Sequence, residues 1–184
     1  MSKHDIKLLA VFSCCFFCVF LPCLLLILSG SVTLSVKGFA VDGNERLYVG
    51  NAKEISVFDT GIQVSSISPQ TSRSYAFTIT EEETILLSTS TKVYTMDLNG
   101  NILHYEEDPG ADMYNQLSYG KKTFTTASGN TYKLRNILGW WVITKNGREV
   151  VWSMGLFSYM ILVIVTFCAV AMFVFILYFI SKRV

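Results

Sequence analysis

Two long apolar runs stand at the ends of this chain, and a different pattern lies between them. The second run, residues 154–180, contains 27 residues and no Asp, Glu, Lys, Arg or His. A helix of that length measures about 40 Å at roughly 1.5 Å per residue, more than the roughly 30 Å of a bilayer's hydrocarbon core. Apolar residues on every face over such a length are typical of a membrane-spanning helix. We therefore predict a transmembrane helix at 154–180, followed by a short tail at 181–184.

The first apolar run, residues 8–28, predicts a second transmembrane helix after an N-terminal tail of residues 1–7. It contains 21 residues and is interrupted only by Ser13, Pro22 and four cysteines. A cleaved signal peptide is the alternative, because a basic head, an apolar stretch and small residues at 29–31 are all present. The apolar stretch of a signal peptide normally contains about 7–15 residues, so a retained anchor is the first prediction.

Residues 29–153 alternate between apolar and polar positions, as half-buried β-strands do. The predicted strands are 32–36, 46–50, 54–58, 62–67, 74–80, 84–89, 92–97, 101–105, 122–126, 131–134, 140–144 and 148–152. Pairs such as Asp42-Gly43 and Asn146-Gly147 separate several of them and accept the positive φ angles of tight hairpins. The region contains no clear amphipathic helix, so we predict an all-β antiparallel domain.

A strand–turn–strand unit occurs three times in this domain, with its turn at Gly61, Gly100 and Gly147. The glycines are 39 and 47 positions apart, and another candidate hairpin precedes each unit. A period near 40 with about four strands is typical of a propeller blade. The predicted repeats are 39–67, 74–105 and 122–152.

The first repeat resembles a known family. Residues 41–50 (VDGNERLYVG) and 55–59 (ISVFD) are similar to a blade of the NHL/WD-type β-propeller repeats. Propellers usually close with about four to eight blades, and three blades leave exposed sheet edges, which proteins normally cover or pair. We expect a compact open meander with shielded edges. The alternative is self-association, in which two copies of the chain complete a ring of six blades.

The charges predict the orientation in the membrane. Lys3 and Lys7 precede the first apolar run, and Lys182 and Arg183 follow the second. The positive-inside rule then places both tails in the cytoplasm, and residues 29–153 are extracytoplasmic. The net charge of the chain is +1, which provides no basic surface for nucleic acid. All five cysteines lie in the apolar runs, so no disulfide holds the central domain. We predict an integral protein of a bacterial plasma membrane.

Candidate catalytic and metal-binding groups are few. Cys15 and Cys18 have the spacing of a redox pair, but the bilayer opposes formation of a thiolate, so we interpret them as small apolar helix residues. Residues 106–112 contain four carboxylates, and oxygen-rich loops bind Ca²⁺, although a solvated acidic loop explains the pattern better. His104 is interpreted as a half-exposed strand residue, and the three glutamates at 81–83 as a charged hairpin tip. We predict no catalytic residue, no metal site and no cofactor.

Short connections to both apolar runs hold the central domain close to the membrane. The residues predicted to lie at the membrane interfaces are Trp140, Trp141, Trp152, Tyr178, Lys182 and Arg183. Two helices without ionisable residues suit anchoring better than transport. We therefore predict a membrane-anchored extracytoplasmic module that binds a protein or an envelope component, and not an enzyme. One alternative is an accessory subunit that contacts a larger membrane complex through its helices. The other is an envelope hydrolase that uses Glu106 and Asp112.

Overall fold

The computed structural model describes residues 3–29, 32, 35–69, 74–108, 111–118 and 122–181. The chain divides into a helical unit, residues 1–34 with 155–184, and a β unit, Ser35–Met154. The helices are α1 (Lys3–Leu28), α2 (Asp112–Ser118) and α3 (Leu156–Ser181). The strands are β1 (Gly38–Val41), β2 (Leu47–Gly50), β3 (Ile55–Asp59), β4 (Ile62–Ile67), β5 (Tyr75–Ile79), β6 (Ile85–Thr89), β7 (Lys92–Met96), β8 (Ile102–Glu107), β9 (Thr123–Thr125), β10 (Thr131–Ile137), β11 (Trp140–Lys145) and β12 (Glu149–Ser153).

The helical unit consists of α1 and α3, which pack against each other through a small apolar cluster. Its buried members are Cys23, Val32 and Ile161, and half-buried leucine, isoleucine and valine side chains surround them. Elsewhere α3 presents its large apolar side chains outward, with Phe167 73% exposed and Phe173 61% exposed. Soluble monomers rarely expose apolar patches larger than a few hundred Å². The outer surface of α3 is therefore suited to a lipid environment.

One segment of the described residues is long and apolar enough to cross a membrane. It is Leu156–Tyr178 in α3, 23 residues with a mean hydropathy of 3.1. In α1 the apolar stretch is shorter, Phe16–Leu28. The sequence predicts two spanning helices, and the structure supports one candidate. The second span stays a prediction, as does the orientation of the tails. Lys182 and Arg183 lie outside the described residues.

The β unit contains three four-stranded antiparallel sheets, and each is a meander of four consecutive strands. The first sheet is β1–β4, the second is β5–β8 and the third is β9–β12. All strand pairings within them are antiparallel. The predicted antiparallel β architecture is confirmed.

The first sheet lies between the other two. Alternate side chains on a strand point to opposite faces, and here both faces are buried. Ala40 and Tyr48 belong to a core shared with the second sheet, whereas Val41 and Leu47 belong to a core shared with the third. All four residues of β2 are buried. The order in space is therefore second, first, third, and the sheet that comes first in the chain is in the middle.

The outer faces of the stack differ from its interior. In β10, Tyr132 and Leu134 are buried, whereas Lys133 and Arg135 are exposed. The third sheet therefore turns a polar face to solvent, which needs no further sheet to cover it. On the other side, α2 packs against β5 and β6. The compact open β-domain, and its alternative of a six-bladed ring formed by two copies, stay predictions.

Helix α2 corrects the prediction that residues 29–153 contain no helix. Asp108 forms its N-terminal cap, because its Oδ1 accepts the backbone N–H of Asp112 (3.1 Å) and its Oδ2 accepts that of Met113 (3.0 Å). The predicted acidic loop at 106–112 is thus divided between the end of β8, this cap and the start of α2. The helix has seven residues, none of them buried, so no apolar periodicity marks it in the sequence.

The predicted first strand is also wrong. Residues 35–37 are not in a strand, and β1 begins at Gly38; residues 33 and 34 lie outside the described part of the chain. The true first strand contains the apolar run Phe39-Ala40-Val41, which is buried on both faces. A search for alternation passes over a strand of this kind.

Candidate functional site

Both chain ends of the β unit lie at the same end of its sheets. An antiparallel sheet of four strands finishes at the end where it started. Lys37, just before β1, and Asn51, just after β2, lie at this end, and the hydroxyl of Tyr75 at the start of β5 donates to the carbonyl of Asn51 (2.7 Å). In the third sheet, Met154 donates its backbone N–H to the carbonyl of Trp141 (2.8 Å). We call this end, which includes residues 35–37 and 153–154, the lower end.

Four hairpin turns share one geometry: residues 42–46, 80–84, 97–101 and 126–130. Three of them, 42–46, 80–84 and 126–130, follow the first strand of each sheet and form the opposite end, the upper end, whereas the 97–101 turn packs against Ile67 at the end of β4. In each of the four, the first residue donates its N–H to the carbonyl of the fifth, and the fourth residue donates its N–H to the carbonyl of the first. The fourth residue has a positive φ in every case, and these residues are Glu45, Glu83, Gly100 and Gly129.

The turn at 42–46 is built on a buried carboxylate. Asp42 is 2% exposed, and its Oδ1 accepts the backbone N–H groups of Asn44 (3.0 Å) and Arg46 (2.8 Å). Its Oδ2 accepts the Arg46 Nε (2.7 Å) and the Tyr48 hydroxyl (3.3 Å). Burial, together with the neighbouring Asp42 charge, raises the pKa of Tyr48 to about 12. Hydrogen bonding to Asp42 raises the pKa of Arg46. Both oxygens of the Asp42 carboxylate therefore accept hydrogen bonds that hold the turn, and the group has a structural role.

The fourth residues of these turns join one sheet to the next. Glu83 in the second sheet accepts the backbone N–H of Gly43 in the first sheet (2.8 Å). Glu45 in the first sheet accepts the Nζ of Lys145 in the third sheet (2.7 Å). Gly129 has the same position in the third sheet and has no side chain to extend further. The contacts therefore run from the second sheet to the first and from the first to the third.

Glu45 has the densest set of partners at the upper end. Its Oε1 accepts the Ser128 hydroxyl (2.9 Å) and the Asn130 side-chain amide, and its Oε2 accepts Lys145. Asn146 in turn donates to the Oδ1 of Asn130 (2.9 Å). The Lys145 hydrogen bond, followed by those of Asn130 and Ser128, lowers the pKa of Glu45 from 4.5 to about 2. A carboxylate held ionised in this way is suited to electrostatic contact and not to proton donation.

We expect the contacts of Glu45 to make the free energy of unfolding depend on pH. Because the pKa of Glu45 in the folded state lies below its ordinary value of 4.5, its contribution is complete above about pH 4.5 and is lost as the pH falls through about 2. Chemical unfolding of the full chain in detergent micelles, followed between pH 6 and pH 2, measures this loss. Glu45→Gln removes the titration, so the gap in stability between wild type and variant is expected to narrow below pH 4.5. In a Lys145→Met background, the difference in the free energy of unfolding between the protein with Glu45 and the Glu45→Gln variant is expected to be smaller. A difference between wild type and Glu45→Gln that does not change with pH would contradict the assignment.

Two clefts open beside these turns. One, of about 410 Å³, lies between the first and third sheets and is lined by residues that include Glu45, Phe58, Tyr132, Lys145 and Glu149. The other, of about 460 Å³, lies among the innermost turns of all three sheets, and its lining includes Asp42, Gly43, Glu83, Phe124 and Ser128. Both combine apolar walls with charged or hydrogen-bonding groups, as ligand sites do. These clefts and turns form the candidate site.

The tryptophans predicted to lie at the interface are together at the lower end. Trp140 and Trp141 begin β11, and Trp152 lies near the end of β12. All three are half-buried. Trp141 and Trp152 pack on the core between the first and third sheets, whereas Trp140 donates its indole N–H to the carbonyl of Met154 (3.1 Å). Tyr178 is exposed on α3.

The other candidates are scattered. His104 is exposed in β8 opposite Thr95, and Glu106 lies opposite Val93 in the same pair of strands. Cys18 is exposed on α1. In the part of the chain that the structure describes, no three His, Cys, Asp or Glu side chains come together as a metal site.

The sequence predicts hairpin turns at the upper end, such as those at Asp42-Gly43 and at residues 81–83, but not a site formed by them, although a signal exists. The turns DGNER, TEEET, DLNGN and TASGN all begin with Asp or Thr and place Glu or Gly fourth. The predicted Asp42-Gly43 pair was assigned the wrong geometry, because the residue with positive φ is Glu45 and not Gly43. At Gly43 the need is for space, since a Cβ there would fall on the Glu83 carboxylate.

Comparison with known proteins identifies no family. No protein-family model matches the chain, and no curated protein matches it. One similar solved structure is that of a protein of unknown function from Bacteroides caccae, with 11% sequence identity and a TM-score of 0.35. The match covers 66% of this chain and 46% of that protein, so the chain spans less than half of the other's length.

Proposed function

We propose that the protein is a membrane-anchored extracytoplasmic binding module that presents the upper end of its β unit away from the bilayer. The observation that carries the proposal is the common position of the two chain ends. Residues 35–37 and 153–154 leave the sheets at the lower end, so both apolar segments attach there. A membrane that holds them leaves the upper end, with its turns and clefts, free for a partner.

Anchoring is supported by the chemistry of the helices. Among the described residues, the large apolar side chains of α3 along Leu156–Tyr178 are mostly exposed, and lipid is an apolar environment for such a surface. In the proposal α1 is a second, retained anchor. Lys3, Lys7, Lys182 and Arg183 then lie on the cytoplasmic side.

The charge of the upper end indicates the kind of partner. Asp42 is buried and paired with Arg46. Among the other described residues, the turns of the upper end and their neighbours carry six carboxylates and two basic side chains. The carboxylates are Glu45, Asp59, Glu81, Glu82, Glu83 and Glu149, and the basic side chains are Lys145 and Arg148. A surface of this sign steers positively charged partners. We propose that the module binds a basic segment of a protein or another cationic component of the envelope.

Cysteine labelling of the full chain in intact cells tests this topology. The five native cysteines are replaced by Ala, and single cysteines are placed at Glu82, in the upper end, or at Lys3. A membrane-impermeant maleimide is expected to label the Glu82→Cys protein without lysis and the Lys3→Cys protein only after lysis. The reverse pattern would overturn the proposal. With a photo-crosslinking residue at Glu82, adducts are expected to fade in a Glu81→Lys background and to persist in a Glu81→Gln background.

One observation favours the accessory-subunit alternative. An apolar groove of about 560 Å³ in the helical unit is lined by Phe16, Val19, Val163, Phe167 and Ala171, among others. A helix of a larger complex fits such a groove by shape and chemistry. A photo-crosslinker at Phe167 separates the two functions. Adducts from a crosslinker at Phe167, with none from a crosslinker at Glu82, would favour the accessory subunit and contradict the binding module.

A further inference from the structure

The turn between β10 and β11 presents an apolar tip at the lower end of the β unit. Ile137 pairs with Trp140 across a two-residue loop, Leu138-Gly139, and both loop residues have positive φ (52° and 88°). Leu138 is 89% exposed and Ile137 is 57% exposed. Among the large apolar side chains of the β unit that the structure describes, Leu138 is the most exposed.

This choice of residue is unusual for a turn in water. A loop of this type favours Asn, Asp or Gly at the position with positive φ, because an L side chain is strained there. The equivalent two-residue loop between β3 and β4, Thr60-Gly61, has a polar residue in that position. Leu138 accepts the strained conformation and gains no burial within the β unit. An apolar environment outside the β unit would supply that burial.

The tip is bonded to the last residue of the β unit. The side-chain oxygen of Asn136 accepts the backbone N–H of Gly139 (2.8 Å) and fixes the loop. Trp140 donates its indole N–H to the carbonyl of Met154 (3.1 Å), two residues before Leu156 begins the helix. Consecutive Cα atoms are about 3.8 Å apart, so Met154 lies within roughly 8 Å of that helix start. A bilayer spanned by α3 is therefore within reach of the tip.

The geometry points to insertion of this hairpin tip into the outer leaflet, with Leu138 and Ile137 among the lipids and Trp140 at the level of the headgroups. The inference rests on the proposed membrane anchoring and extends it to a defined lipid contact of the β unit. Amphipathic tryptophan prefers the interface, and exposed apolar side chains enter the boundary between headgroups and acyl chains. Arg135 is exposed on β10 two residues before Ile137. With the tip inserted, a lipid phosphate would neutralise the charge of Arg135. The contact fixes the tilt of the β unit and keeps its upper end outward.

Fluorescence of a single labelled cysteine tests the insertion. The full chain without its native cysteines is reconstituted into vesicles of phosphatidylcholine and phosphatidylglycerol that contain nitroxide-labelled lipids. An environment-sensitive fluorophore is attached to Leu138→Cys, or in a second protein to Ile137→Cys. The matched control is Leu103→Cys, because Leu103 is an exposed leucine (61%) in β8 of the second sheet, which lies on the opposite side of the first sheet from β10. Phe173→Cys on α3 reports whether the anchor itself is in the bilayer.

Quenching at residue 138 or 137 several-fold stronger than at residue 103, with an emission shift to shorter wavelength, supports the insertion. If residue 138 is as accessible to water as residue 103 while residue 173 is quenched, the tip does not enter the membrane and the anchoring still stands. If residue 173 is not quenched either, the insertion and the anchoring both fail. A shift to shorter wavelength at residue 138 without lipid quenching indicates cover by protein and would overturn the inference.

Discussion

Replacing Asp42 by Ala is expected to lower the free energy of unfolding of the β unit by about 3 kcal/mol. The substitution removes the acceptor for two backbone N–H groups of the 42–46 turn. It also leaves the fully buried Tyr48 hydroxyl and the Arg46 guanidinium without the carboxylate that they contact. Loss of one member of a fully buried ion pair costs about 3–5 kcal/mol. Because the Arg46 side chain is 34% exposed and can turn towards water, we expect the lower part of that range.

The turn at 97–101 provides the matched control for Asp42. Asp97 accepts the backbone N–H groups of Asn99 (2.9 Å) and Asn101 (2.8 Å) in the same geometry. Its other oxygen bonds only the neutral amide of Asn101. Asp97→Ala is therefore expected to destabilise the fold clearly less than Asp42→Ala. Denaturant unfolding of the full chain in detergent micelles, followed by tryptophan fluorescence, measures both values. Equal losses for the two variants would show that the buried cluster around Asp42 adds nothing to the turn.

Gly50→Ala is expected to destabilise the β unit by about 1–3 kcal/mol through overpacking. A Cβ at this position would lie 2.6 Å from Cε1 of the Phe77 ring and 3.1 Å from the Tyr75 hydroxyl. Neither group is free to withdraw. Phe77 is buried in the core between the first and second sheets, and the Tyr75 hydroxyl is held by the carbonyls of Asn51 (2.7 Å) and Glu54 (2.9 Å).

Gly38 is the natural comparison, because it pairs with Gly50 across β1 and β2. A Cβ on Gly38 would meet the same Phe77 ring atom at 3.8 Å, an ordinary contact. Glycine in a strand carries an entropic cost, so Gly38→Ala is expected to stabilise the fold by about 0.5 kcal/mol. The two substitutions are thus expected to have opposite signs in the same unfolding measurement. Two variants of equal stability would mean that the sheets separate easily enough to accept the extra methyl.

The strands that alternate between apolar and polar positions could be found from the sequence, since one face of each is exposed. In β10, Lys133 and Arg135 mark the outer face between buried Tyr132 and Leu134, and the pattern is unambiguous. The pattern was lost in β1, where Phe39-Ala40-Val41 is buried on both sides. Alternation reports a strand only where the environments of its two faces differ.

The site was harder to foresee because its contacts join distant parts of the chain. Gly43 and Glu83 are 40 positions apart, and Glu45 and Lys145 are 100 positions apart. The local turn pattern is present at residues 97–101 as well, where Asp97 uses its oxygens within the turn. Nothing in five residues of sequence distinguishes a turn whose side chain forms a hydrogen bond to another sheet from one whose carboxylate bonds only within the turn. The order of the sheets in space makes that difference.

The central position of the first sheet has a consequence for biosynthesis. Ribosomes complete this sheet before either neighbour exists, so its two apolar faces stay uncovered while roughly ninety further residues are made. One face is covered when the second sheet arrives, and Val41 and Leu47 wait for the third. Assembly of the layers therefore finishes only after the last strand, Glu149–Ser153, has left the ribosome, immediately before the apolar helix that follows it. A nascent chain that stalls before that strand has an apolar face that is not fully buried, and chaperones bind such surfaces.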